Sequence, residues 1–469
     1  MTHPGASAEG EAMTDRVNES HRELLRWASA FPMDELPSTV LSRSARVIAD
    51  SVACMIAAQH EPEVEAFHGK LTSRAQMAEA TLFRTGAPRI DRQSAAIGNA
   101  LADVWHELEE GWRTVPCHAG LYVLPALLAE AEAAGLSVRR TLGCVALAYE
   151  VVARFAATWS FPEMADQGRG WVHARFNSIG AAIATALARR LPSQSCIAAV
   201  ENAISMALIG PRRHHLDGAL VWNAWPATAT WIGMTSVDWA ECGIAGLAST
   251  PSDVMGVEFR GEARWSSMTE GLGKAWAILD GYTKIHACIQ HAHSTVEAVL
   301  AARPAVLAHH GEILELLVET HRLALFLDQP DPLTSLAAKF SLQHIAATTY
   351  VHGSAGPEAF SAASLSNPQV AALRMKVRFA PFGEMPGAHD RPARVSFVMT
   401  DGTRVARTCL SAAGGPDRPF GDETVWGKVE SLTRDTAPQF NRLARSLERL
   451  DPDWIDRPWP EFVRAALAA

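Results

Sequence analysis

The stretch Tyr282–Ser294, YTKIHACIQHAHS, places one lysine, one cysteine and three histidines within thirteen residues. No other segment is as rich in groups that titrate or coordinate near neutral pH. A metal site, an acid–base site and a polar turn without function are all open to it. Lys284 lies beside apolar residues; at a domain seam such a lysine can have a depressed pKa and serve as base, acid or carboxylate anchor. The plain alternative is a solvated surface lysine. His286, His291 and His293 invite zinc. If a helix starts near Ile289, however, His291 and His293 sit about 200° apart at ~100° per residue and diverge. With no Cys-x-x-Cys or His-Glu-x-x-His elsewhere, the expectation is no metal. His293 precedes an amphipathic run, which it either caps or leaves to face a cleft.

Other groups of the same kind are scattered along the chain. WHELEEGW sets Glu107, Glu109 and Glu110 together. Clustered carboxylates repel, so one can hold its proton and act as an acid, unless they form an acidic surface end. His118 follows in VPCHAGLYVLP. His173, in GRGWVHARFNSIGAA with Arg175 beside it, precedes an Ala-rich helix, where a histidine tends to be neutral and suits a base. Its alternative is a loop histidine bonding backbone. In RRHHLDGALVWNAWP, Arg212, Arg213, His214 and His215 either face an anion or form a basic surface turn. Trp222 and Trp225 suggest a bulky or less anionic ligand, unless they are simply core.

The elements that would position these groups are mostly helical. From about Glu23 to Met268, Ala-rich runs such as STVLSRSARVIADSVACMIAAQ and VRRTLGCVALAYEVVARFAATW carry apolar residues three and four apart. Ser38 reads as an N-cap after Pro37. Several runs are apolar nearly all round, which predicts helices buried inside a large bundle. The pattern then changes. EILELLVET, LRMKVRFAPF and ARVSFVMTDGTRVARTCL read as strands, the last a hairpin turning at Asp401-Gly402, with HSTVEAVLAAR and SLAAKFSLQHIAATTYVHG helical between them. After Ser411 the helical pattern returns. The expected organisation is mainly α: a loose tail over 1–20, an all-helical domain from 21–268 and 411–469, and an α+β lid over 269–410.

Composition narrows the class of protein. The 42 Lys plus Arg against 51 Asp plus Glu give a formal net charge of −9, which argues against nucleic acid as a partner. Apolar stretches such as SIGAAIATALA are too short for a membrane span. Seven scattered cysteines, an odd number without a CxxC, suit reduced thiols in a cytoplasm.

The order of these motifs, from about residue 20 to the C-terminus, resembles the MmgE/PrpD family of 2-methylcitrate dehydratases, cis-aconitate decarboxylases and iminodisuccinate epimerases. DPLTSLAAKFSLQHIAATTYVHG followed by LSNPQVAALRMKVRF carries the resemblance most specifically. CHAGLYVLPALLAEAEAAG and YTKIHACIQHAHSTVEAVL are similar to further family segments. The resemblance implies a helical domain built from both chain ends with an α+β lid, a homodimer, and activity without metal or organic cofactor. It places Lys284 at the family's active-site lysine and makes His173 and His118 catalytic candidates. Glu107, Glu109 and Glu110 stand where three aspartates are usual, and Trp222 and Trp225 fall near a position where polycarboxylate-acting members carry lysine.

The expected activity is a cofactor-independent lyase of the dehydratase type acting on a small hydroxy- or polycarboxylic acid. Lys284 is the anchor or base, His173 the proton donor or base, and His118 polarises the substrate. Glu107, Glu110, Arg175, Arg213, His215, Trp222, Trp225, His286 and His293 are the expected substrate contacts. An isomerase, a decarboxylase, a divergent enzyme with a bulkier substrate and a catalytically silent binding protein are the alternatives.

Overall fold

The computed structural model describes residues 8–162, 172–208, 210–211, 213–309, 311–384 and 391–468. Long helices dominate the first half: Ala8–Ala30, Ser38–Ala57, Arg92–Val104, Ala119–Ala133, Val138–Thr158, Val172–Ala188, Ser193–Ser205 and Val221–Glu241. The nearly all-apolar runs become the middle of the bundle. Ala119–Ala133 is buried along almost its whole length and packs against Val172–Ala188 and Val138–Thr158. Small side chains allow the close approach: Gly180 lies so near Tyr122 that an added Cβ would strike its backbone at 2.8 Å.

Three details differ from expectation. The chain is helical from Ala8, and Val17 is buried while the Asn18 amide donates to Ser252 at 2.9 Å, so the end of the expected tail is packed. Ser38 is the first helical residue, behind Pro37, with no side-chain cap. The 21-residue helix Val138–Thr158 is long and apolar enough to cross a membrane, against the expectation that no run is. Its surface is covered by neighbouring helices, so it is a core element.

A four-stranded sheet forms the smaller part. Ile313–Thr320 lies between Val377–Pro381, parallel to it, and Ala393–Met399, antiparallel to it, with Arg404–Cys409 at the outer edge. Residues 400–403 connect the hairpin. Gly402 takes φ +87° and the Asp401 carboxylate accepts the Thr403 N–H at 2.9 Å. Helices His293–Ala308 and Leu342–His352 cover one face of this sheet. The chain then returns: Asp422–Thr433 and Phe440–Glu448 pack on Ser38–Ala57, and Trp459–Ala466 on Ala119–Ala133. The architecture is a large helical body completed by the C-terminal helices, with a smaller α+β part.

Candidate active site

Helix Arg92–Val104, capped by Asp91 accepting from Ser94 N–H at 2.8 Å, ends just before the acidic segment. Residues 105–110 are not helical, so their buried carbonyls need other donors. Two buried lysines supply them. Lys339 Nζ donates to Trp105 O at 2.6 Å, and Lys428 Nζ donates to Leu108 O at 2.7 Å while pairing with Asp50 at 2.7 Å. Glu107 within this loop adopts φ +55°, a left-handed conformation that costs a glutamate energy and holds its side chain in one direction.

Gly111–Trp112 then pairs antiparallel with Gly281–Tyr282. Beyond that ladder, Thr283, Ala287 and Ile289 N–H groups donate to the carbonyls of Gly414, Ala355 and Lys339. The segment carrying Lys284 is therefore stitched to the helical body at one end and to the α+β part at the other. Gly414, at φ +106°, cannot be replaced without a clash, because a Cβ would run into Thr283 O.

The ladder delivers Lys284 into the acidic loop. Its Nζ lies 3.2 Å from Glu109 Oε1 and 3.5 Å from Glu107 Oε2, and both Lys284 and Glu109 are fully buried. The same Glu109 Oε1 is 3.1 Å from His118 Nδ1. One carboxylate oxygen thus joins an ammonium and an imidazole. Glu107 Oε1 and Glu109 Oε2 have no hydrogen-bond partner among the described residues. Glu110 is used differently: its Oε1 accepts Gly120 N–H at 2.8 Å at a helix start, and its Oε2 accepts the Tyr149 hydroxyl at 3.0 Å. It braces the loop rather than facing the cluster.

Burial sets the charges. It works against the Lys284 ammonium, but the Glu109 and Glu107 carboxylates outweigh it and hold the lysine above its ordinary pKa. The expected depression of Lys284 is corrected by these two acids. Lys284 is a cation, suited to anchoring or stabilising an anion. Burial would raise Glu109, yet Lys284 and His118 bring it below the usual carboxylate value. Burial pushes Glu107 up to about 7 because Lys284 offsets it only in part. Glu110 also rises to about 7 by burial, against Arg43 and its hydrogen bonds.

The remaining candidates divide. His286 and His293 are buried with rings 5.2 Å apart, and His293 Nε2 lies 3.1 Å from Cys288 O. Burial lowers both, His286 to about 4, so they are neutral. His291 turns the other way, toward His321 at 5.4 Å. Among the described residues no group of three His, Cys, Asp or Glu is arranged to hold a metal ion. Arg175 is buried with its guanidinium 4.1 Å over the Phe161 ring. Trp222 is fully buried against Phe340 (5.4 Å), His215 and Trp225 (6.3 Å each), so it belongs to an aromatic core cluster that His215 shares. Arg213 is a surface residue paired with Asp217. The His173 side chain and Arg212 lie outside the described residues.

Three groups carried no role in the sequence. Glu109 was one of three equivalent acids until the fold chose it. Tyr282 presents its ring 6.4 Å from that of His118. Arg391 lies two residues before the start of the strand Ala393–Met399, where Ala393 pairs with Thr320, beside His321. It has no hydrogen bond or ion pair among the described residues and faces Tyr282, Arg113, His293 and His321 electrostatically. Burial lowers its guanidinium to about 10. An arginine without an acid among the described residues is a signal only three-dimensional placement gives.

Comparison with known proteins adds to this geometry. The model of the MmgE/PrpD N-terminal domain matches residues 22–258, and that of the MmgE/PrpD C-terminal domain matches residues 286–451. The chain is 23% identical over 474 residues to the cis-aconitate decarboxylase-like protein oryM of Aspergillus oryzae, an overlap covering 94% of this chain and 96% of that protein. Lys284 falls in the short stretch between the two matched domains.

Proposed function

Because the chain belongs to the MmgE/PrpD family, we propose that it is a cofactor-independent lyase of the dehydratase type acting on a small hydroxy- or polycarboxylic acid. The site is the seam between the helical domain (21–268 and 411–469) and the α+β lid (269–410). The observation that carries this reading is the shared Glu109 oxygen between Lys284 and His118. Glu109 Oε1 and the Glu110 carbonyl, each 3.1 Å from Nδ1, fix the His118 proton there and leave Nε2 as the basic nitrogen. His118 then takes the proton from the carbon beside the substrate carboxylate. The Lys284 ammonium stabilises the enediolate-like charge that develops. Glu107, protonated near neutrality, gives its proton to the departing hydroxide, which leaves as water. Arg391 holds a substrate carboxylate from the lid side, and His173 is a further proton carrier.

The name of the Aspergillus relative supports a second reading, decarboxylation, in which the same acid protonates the carbanion left by CO2. One experiment separates these. The protein is incubated with methylcitrate, cis-aconitate and iminodisuccinate in D2O and followed by NMR. New olefinic signals mark dehydration, a lost carboxylate marks decarboxylation, and deuterium at the α-carbon without net conversion marks epimerisation. If none of the three changes while circular dichroism shows an intact fold, the polycarboxylate reading is wrong and the silent-binder alternative stands.

A further inference from the structure

A cavity of about 330 Å3 lies where Glu61, Trp105 and Asn223 of the helical body meet Leu333, Leu336 and Lys339. Lys284, His118, Glu107 and Glu109 do not line it. We propose that it is a binding site for a small aliphatic 2-hydroxy monocarboxylate, distinct from the Lys284 cluster.

The polar part of the cavity is incomplete without a ligand. Lys339 is almost fully buried and makes one hydrogen bond, to Trp105 O, with no carboxylate in ion-pair range among the described residues. An ammonium has three donors, so two are left to the cavity. Asn223 is 2% exposed, and its Oδ1 has no hydrogen-bond partner among the described residues. A buried cation and a buried amide oxygen without partners are each costly. A carboxylate answers the first and a hydroxyl proton the second. Burial lowers Lys339 to about 8, the direction expected of a lysine lacking a close anion.

The rest of the wall sets the ligand's size and charge. Leu220, Leu333, Leu336 and Leu365 are apolar, and Leu333 is 85% exposed. That suits a short alkyl body entering beside an open leucine. The volume is at the low end of the roughly 300–1,000 Å3 range of small-molecule pockets, which suits a small acid. Glu61 and the exposed Glu63 also line the cavity, and with a single lysine at its floor they disfavour a dianion or a phosphate. Lys339 holds Trp105 O two residues before Glu107, so a bound acid pulls on the loop that carries the candidate catalytic acids.

The test is calorimetric titration of the full-length protein with 2-hydroxyisocaproate, and with isocaproate as the probe lacking the hydroxyl. Wild type is expected to bind the hydroxy acid saturably and at least about tenfold tighter than isocaproate. Lys339→Met should weaken both acids by at least about tenfold. Asn223→Leu should weaken only the hydroxy acid, to the level of isocaproate. Asn223→Leu leaves no buried unpaired group, so it decides the matter should Lys339→Met fail to fold. Absence of saturable binding by wild type up to about 10 mM, or unchanged affinity in Asn223→Leu, overturns the proposal. Because the readout is binding, neither result depends on whether the Lys284 cluster is a lyase site.

Discussion

His118 Nδ1 lies 3.1 Å from Glu109 Oε1, and the same oxygen is 3.2 Å from Lys284 Nζ. An ammonium and an imidazole thus depend on one buried carboxylate. In Glu109→Gln the amide keeps the shape but removes the charge. Lys284 is left buried with the weaker contact to Glu107, and His118 loses its orienting anion. Breaking one member of a buried pair costs about 3–5 kcal/mol, which urea denaturation would read. Turnover should fall by about a hundredfold or more. In a double variant with Lys284→Met the stability loss should be smaller than the sum of the two single losses. Additive losses would mean that the two groups are not coupled.

The pH dependence of stability follows from Glu110. Its folded-state pKa is raised to about 7 from an ordinary value near 4.5. Between those values the folded protein binds more protons than the unfolded chain. Its contribution to stability is therefore fully present below about 4.5 and is lost as pH rises through about 7. Glu110→Gln removes that dependence. Relative to wild type, the variant should gain stability between pH 5 and pH 8, by at most about 3 kcal/mol. Parallel denaturation curves for the two proteins across that range would contradict the assignment. Glu107 titrates in the same direction, so the wild-type decline should persist in part in the variant.

Much of the fold was legible because helical periodicity survives in single sequences. The Ala-rich runs became the bundle, and the Asp401-Gly402 hairpin formed where its residues require it. The candidate site was legible only as an inventory. Lys284 was singled out by its segment, but its charge state depends on Glu109, distant in sequence and brought close by a two-residue ladder. The direction of the Lys284 shift could not follow from apolar neighbours in the chain. The role of Glu110 was equally hidden, since Gly120 N–H and Tyr149 OH reach it only once the helices are packed. Arg213 shows the reverse error: a basic residue in a suggestive phrase turns to solvent and Asp217.

Trp222 is fully buried among Phe340, His215 and Trp225. As a core residue it should respond as one. Trp222→Ala removes a large ring from a packed cluster and should cost about 3–5 kcal/mol in thermal or urea unfolding. Trp222→Phe keeps a ring against Phe340 and should cost less than half of that. A lining tryptophan would instead leave stability nearly unchanged and alter ligand affinity.

Arg391 offers the sharpest separation between a structural and a substrate-binding residue. Arg113, its cationic neighbour, is already occupied by Asp417 and Ser411. No described acid compensates Arg391 itself, so its guanidinium sits near another cation, a neutral Tyr282 and the histidines 293 and 321. Removing such a charge leaves no buried partner exposed, and Arg391→Gln should shift stability by less than about 1 kcal/mol, in either direction. A substrate carboxylate that accepts from the guanidinium would lose a charge-assisted hydrogen bond, so the dissociation constant for a dicarboxylate should rise by about ten- to a hundredfold. The maximal rate should change much less, because the contact is made equally before and during the reaction. Arg391→Lys should restore affinity only in part, since an ammonium cannot reproduce the planar fork. A large stability loss with unchanged affinity would assign Arg391 to the packing of the seam instead.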